Sequence, residues 1–135
     1  MTLVVDASVA FKWFAQEEGT DRALALLERG ERIVAPDLIL AEVCNAAWKS
    51  LRQGEIAPAQ YDAILGDVAQ PFSRLVPLNL LIRPAAVLTR LLDHPVYDCL
   101  YLALADTQDL RVITADQRLL AAVRATSLAN RVSQL

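Results

Sequence analysis

The sequence predicts an α/β fold, a parallel sheet with helices on both faces. Strand-like and helix-like segments alternate along the whole chain, as they do in such sheets. The strand segments are unbroken apolar runs rather than alternating ones, the pattern of strands covered on both sides. The chain has 135 residues, 55% hydrophobic and 21% charged, so it can bury a real core and is not a disordered chain.

Taken in order, Thr2–Asp6 reads as a buried strand, because Leu3, Val4 and Val5 form a continuous apolar run. Ser8 is expected to cap a helix through about Ala15. Thr20 caps the next helix, and Gly30 ends it after Arg29. Arg32–Ala35 is a short second strand, and Asp37 caps a long helix ending near Gly54. Pro58 suits the first turn of another helix, running to about Gln70. Leu75–Leu78 is the third strand, with Pro77 placing it towards an edge. Pro84–Leu92 and Tyr97–Asp109 read as helices, Arg111–Thr114 as a strand and Asp116–Arg124 as the helix after it. Arg131–Leu135 adds an edge strand. No linker, repeat or low-complexity tract divides the chain, so a single domain over 1–135 is expected.

No apolar run approaches the roughly 18 residues of a membrane span. Asp6 interrupts the apolar start and no basic segment precedes it, so a cytoplasmic location is expected, with no membrane partner. Two cysteines and one histidine make neither a disulfide framework nor a recognisable zinc site. The net charge of −3 argues against a general nucleic-acid binder. Its distribution matters more. If four carboxylates shared one metal site, 12 acids would remain against 13 basic residues, all Arg except Lys12 and Lys49. A near-neutral surface with Arg available for phosphate contacts would result.

In open α/β sheets the ligand crevice lies at the carboxyl ends of the strands. Asp6 ends the first strand and Asp116 follows Arg111–Thr114, so both fall at that edge. Either acid also suits a helix cap. Glu42 is the only charged residue from Leu38 to Trp48, and Asp98 the only one in Val96–Ala105. An ion is hard to keep solvated on such helices, and a buried unpaired carboxylate is costly, so each needs a partner. That partner is either a distant Arg or a shared cation. Asp98 lies in the first turn of its helix, and Glu42 about 7–8 Å down the axis of its own, so all four acids can face one crevice. Carboxylates crowded together resist ionisation unless a cation neutralises them, and an all-oxygen set suits Mg²⁺ or Mn²⁺. Ser8 and Thr114 place hydroxyls beside Asp6 and Asp116, for water or substrate oxygen, or simply for capping and strand packing.

These pieces carry a resemblance. Val4-Val5-Asp6-Ala7-Ser8, Pro36-Asp37-Leu38 leading to Glu42, Tyr97-Asp98-Cys99-Leu100-Tyr101-Leu102-Ala103-Leu104-Ala105, and Leu110 through Thr114-Ala115-Asp116-Gln117-Arg118-Leu119 follow one another at characteristic spacing. In this the chain resembles PIN-domain proteins, most closely the VapC-type toxin ribonucleases of toxin–antitoxin pairs. The resemblance implies a compact α/β/α sandwich, metal-dependent RNA cleavage to 5′-phosphate and 3′-hydroxyl products, a homodimer and a small antitoxin partner. The acids Asp6, Glu42, Asp98 and Asp116 and the Thr114 hydroxyl map directly onto the family's positions.

With a single histidine, a paired-histidine ribonuclease mechanism is excluded. His94, next to Pro95, reads as a residue shaping the turn before Asp98. The chemistry is then expected from metal-activated water, with Asp6, Asp98 and Asp116 as ligands and Glu42 as ligand or water-positioning base. Lys12 and Arg118, within about one to two helical turns of a site acid, are the RNA-contact candidates; both also suit a solvated helix face. One competing function is a phosphotransfer domain, either an acidic-nucleophile phosphatase or a receiver. Against it, position 8 is Ser rather than a second acid, and no Lys follows Lys49. A catalytically silent scaffold of the same fold, binding only a protein, is the other. Phe11, Trp13, Phe14, Trp48 and Leu51 supply apolar surface, mostly for the core, with a subset available to an antitoxin helix.

Overall fold

A computed structural model describes residues 1–135. Five strands, β1 (Thr2–Val5), β2 (Arg32–Pro36), β3 (Arg74–Val76), β4 (Arg111–Thr114) and β5 (Val132–Gln134), form one sheet in the order β3-β2-β1-β4-β5. Every pairing is parallel. β1 lies at the centre, where Val4 and Val5 are completely buried, which accounts for its unbroken apolar run. The chain travels one way across the sheet through α1 (Ala7–Ala10), α2 (Thr20–Glu28), α3 (Leu38–Arg52) and α4 (Pro58–Asp67). It then returns through α5 (Leu78–Leu92) and α6 (Val96–Gln108) to β4, and on through α7 (Gln117–Val123) to β5. Right-handed crossovers therefore put α1–α4 on one face and α5–α7 on the other, giving the three-layer α/β/α sandwich. α6 lies across β1, β2 and β4, and its Cys99–Ala105 stretch is wholly buried. A helix covered on all sides has no use for a polar stripe, hence its apolar sequence.

Several boundaries differ from those expected, each for a local reason. The helix after β1 is only α1 plus one 3-10 turn over Phe11–Trp13. Its cap is Asp6, whose carboxylate accepts from the Val9 N–H, and not Ser8. α2 is opened by Gly19 at φ 88°, a left-handed conformation that glycine adopts without strain. Thr20, in place of capping, donates its hydroxyl to the Ala15 carbonyl and accepts from the Glu17 N–H. Asp37 makes no capping bond in α3; its carboxylate accepts from the Leu78 N–H at 3.0 Å and so anchors the start of α5. β3 stops at Val76, because Pro77 turns the chain and α5 begins at Leu78 rather than at Pro84. Pro84 sits inside α5, where its ring denies the Leu80 carbonyl a helical donor. Of the aromatic supply, Phe11 is buried, Trp13 and Phe14 pack against the core, and Trp48 is left 43% exposed under the Arg52 guanidinium.

Candidate active site

β1 and β4 are neighbours, but the chain leaves them in opposite directions across the sheet. Loops diverge at such a point and open a crevice at the carboxyl edge. Asp6 is the first residue past β1, and its backbone N–H donates to the Ile113 carbonyl of β4.

The Asp6 side chain is buried in this crevice and surrounded by donors. The Ser8 hydroxyl donates to Oδ1 at 2.6 Å, the Val9 N–H to Oδ1 at 3.3 Å and the Thr114 hydroxyl to Oδ2. These hydroxyls are themselves fixed. Ser8 Oγ accepts from the Ala115 N–H at 2.9 Å, and Thr114 Oγ1 accepts from the Asp116 N–H at 3.0 Å. Neither hydroxyl caps a helix, and neither has a proton to spare for substrate, since both are given to Asp6. Burial pushes the Asp6 carboxyl up to about 6, against the pull of Ser8, Thr114 and Val9 and with a smaller push from the Asp98 charge.

Glu42 reaches the crevice from α3. Its Oε1 accepts from the hydroxyl of Tyr101, a residue of α6 that is 1% exposed. Burial raises the Glu42 carboxyl, the Tyr101 bond lowers it, and Asp98 raises it further. The Tyr101 phenol is held well above its ordinary range by burial and then by the Glu42 charge, so it stays a donor. Asp98, in the first turn of α6, has Oδ2 at 2.6 Å from His94 Nε2. Asp98 acts on Asp6, Glu42 and Tyr101 alike, so the three acids share one field. No Lys or Arg forms an ion pair with Asp6, Glu42 or Asp98, so the distant-Arg alternative is not realised.

Asp116 stands apart. It caps α7, accepting from the Arg118 N–H at 2.9 Å, and its link to Asp6 is its backbone N–H on Thr114. Lys12 lines a groove of about 420 Å³ beside the site with Ser8, Glu42, Asn45, Lys49 and Ala115, and pairs with Glu17 at 3.0 Å. The Arg118 side chain is 91% exposed and lies outside that groove. From the sequence, His94 reads as a turn residue and Lys49 as the nearest local partner for Glu42, while Tyr101 and Asn45 carry no site role. Their signals were spacings: His94 four before Asp98, Tyr101 three after it, Asn45 and Lys49 three and seven after Glu42 on one helical face.

An all-oxygen carboxylate set whose members resist ionisation suits a hard divalent cation. As placed, no three carboxylate, imidazole or thiol groups enclose a common point. By donor chemistry the residues fit a hard divalent cation.

Comparison with known proteins agrees with this architecture. The family model described as PIN domain matches residues 3–125. Ribonuclease VapC3 of Pyrobaculum aerophilum is 28% identical over 121 residues, 88% of this chain and 92% of that protein. Among solved structures, PAE2754 from Pyrobaculum aerophilum shares the fold with a TM-score of 0.68 at 24% identity, over 99% of this chain and 92% of that one. A toxin-antitoxin complex from Klebsiella pneumoniae contains a chain with a TM-score of 0.62 at 17% identity, over 88% of this chain and 90% of its own. The family match runs from β1 to just past α7 and so takes in Asp6, Glu42, Asp98 and Asp116; this chain belongs to the PIN-domain family.

Proposed function

We propose that this chain is a divalent-metal-dependent endoribonuclease and the toxin of a type II toxin–antitoxin pair. The observation that carries this is Asp6, a buried carboxylate at the point where the chain reverses across the sheet, flanked by Glu42 and Asp98 and given no basic partner. Asp6, Asp98 and Asp116 would hold the ion, Asp116 through the carboxylate oxygen its cap leaves free, with Glu42 a further ligand or the base that positions water. Mg²⁺ or Mn²⁺, when bound, offsets these charges and that of the scissile phosphate and activates water for in-line attack. Ser8 and Thr114 fix the rotation of the Asp6 carboxylate. Tyr101 holds Glu42 in either role, its hydroxyl donating to Oε1. Lys12, Lys49 and Asn45 line the groove along which an RNA backbone would run, with Arg118 at the rim, its guanidinium 3.9 Å from Asp116 Oδ1.

RNA as the substrate is supported by the relative named as a ribonuclease. An antitoxin partner is supported by the fold shared with a chain of a toxin-antitoxin complex, and exposed Trp48 offers it an apolar anchor. For a homodimer, α5 leaves Leu80, Val87 and Leu91 exposed on one face. No helix is long and apolar enough to cross a membrane, in keeping with a cytoplasmic toxin.

The test is cleavage of RNA by purified protein in heavy-oxygen water, with and without EDTA. We expect Mn²⁺- or Mg²⁺-dependent cleavage, one heavy oxygen on the product 5′-phosphate and none on the protein. A trapped acyl-phosphate on Asp6 in a single turnover would establish the phosphotransfer alternative. Absence of cleavage at millimolar metal would leave a silent scaffold.

A further inference from the structure

His94 is the polar side chain at this site with no part in the reaction above. Its backbone is pinned on both sides. The His94 N–H donates to the Thr89 carbonyl at 3.3 Å, and its carbonyl accepts from the Cys99 thiol at 3.8 Å. Asp93 before it takes a left-handed conformation at φ 50°, and Pro95 after it fixes the next φ. The turn thereby aims the imidazole along the first turn of α6, where Nε2 meets Asp98 Oδ2 at 2.6 Å. Both side chains are largely sheltered, at 13% and 25% exposure. This is the one hydrogen bond the Asp98 side chain makes.

We propose that His94 is a positioning residue for Asp98. Nε2–H donates to Oδ2, fixes the rotation of the carboxylate and leaves Oδ1 for a divalent cation. Facing a carboxylate, Nε2 is the protonated nitrogen. The same device recurs at the three acids that share one field, whereas Asp116 caps α7 and has the Arg118 guanidinium at 3.9 Å. Asp6 is held by Ser8 and Thr114, Glu42 by Tyr101, and Asp98 by His94. In every case a donor fixes the oxygen from behind, and none is a Lys or Arg. Donors of this kind commonly change metal affinity by about 10- to 100-fold when removed. This inference rests on the metal-dependent function proposed above.

The competing role is a staple between α5 and α6, which would affect stability alone. Calorimetric titration of the full chain with Mn²⁺, together with melting temperatures in EDTA, separates the two. We expect His94→Ala to weaken Mn²⁺ binding by about tenfold or more. His94→Gln, whose amide nitrogen stands near the place of Nε2, should recover much of the loss. Should His94→Ala not fold, His94→Phe fills the space without a donor and takes its place. Unchanged or tighter Mn²⁺ binding in the donor-less variant, with only a lowered melting temperature, overturns the positioning role and leaves the staple. If the wild-type protein itself takes up no Mn²⁺, the metal-dependent function falls and this inference with it. Wild-type binding that is indifferent to position 94 removes this inference alone.

Discussion

The two ends of α6 treat their acids in opposite ways. At the C-terminal end, Arg131 grips Asp106 with Nε at 3.3 Å, Asp109 with a terminal nitrogen at 2.9 Å, and the Leu110 carbonyl at 3.2 Å. At the N-terminal end, Asp98 is bonded to an imidazole, and the neighbouring Glu42 and Asp6 to hydroxyls. A guanidinium offsets charge on the acids it holds, here one positive charge against two negative ones. A hydroxyl places the acid and leaves its charge intact. The Arg131 cluster lies largely in solvent, where water and salt screen its charges. Asp6 is buried, and its charge is a standing cost to the metal-free fold. Acids placed but not offset are what a cation site requires; acids partly offset in place are what a helix end requires.

The largest test of this contrast is to remove one acid from each end. Asp98→Asn keeps the shape and deletes the charge. RNA cleavage should fall by at least about 100-fold, the scale of a lost electrostatic contact to the reacting centre. The fold should survive, and the melting temperature in EDTA should not fall, because repulsion on Asp6 and Glu42 is relieved. Asp106→Asn at the other end should leave cleavage unchanged. Equal losses in the two variants would show that the contrast reflects general helix stability and not a site.

The second test reads the standing cost directly. The Asp6 carboxyl moves from 3.8 to about 6 on folding, so between those values the folded state binds more protons than the unfolded one. Stability in EDTA must therefore fall as pH rises through that window, with the cost absent below it and full above it. The magnitude is on the order of 3 kcal/mol. Burial of Glu42 acts in the same direction. Asp6→Asn removes the Asp6 part while keeping a residue that caps α1 equally well. Denaturant unfolding should show the variant gaining on the wild type from about pH 4 to about pH 6, and holding that gain at pH 7. A difference that stays flat across this range would mean Asp6 ionises freely.

Much of this was legible in the sequence, and the reasons differ by residue. The sheet could be read because β1 and β4 are apolar on both faces. Glu42 and Asp98 could be found because a lone acid in an apolar helix is conspicuous. Asp6 and Asp116 were findable as acids past the ends of strands, but their difference was not. Only the fold shows that one is buried among donors and the other spends an oxygen on the α7 cap. α5 was misplaced at its start because Pro84 imitates a helix opener, while the true opener, Pro77, looked like the tail of a strand. His94 and Tyr101 were missed because what they do depends on a partner's direction. His94 lies across a proline from Asp98, and Tyr101 touches Glu42 on another helix, 59 positions away in sequence.

The smallest expected effect is at Arg131. Its side chain is 28% exposed, and its partners Asp106 and Asp109 are 49% and 93% exposed, so water and salt already screen the cluster. Its pKa is raised, first by the hydrogen bond to Asp109, so it is charged at any working pH. Arg131→Gln deletes that charge and keeps one amide donor for the Leu110 carbonyl, which is the bond that ties the start of β5 to the turn before β4. The melting temperature should drop by only about 2 °C at low ionic strength, and by less as salt is added, as for other exposed pairs. RNA cleavage and Mn²⁺ affinity should be unaltered, since the cluster lies at the far end of α6 from Asp98. A loss of Mn²⁺ affinity in Arg131→Gln comparable to that of Asp98→Asn would show that α6 transmits strain along its length. The separation drawn between its two ends would then fail, because one element would be serving both.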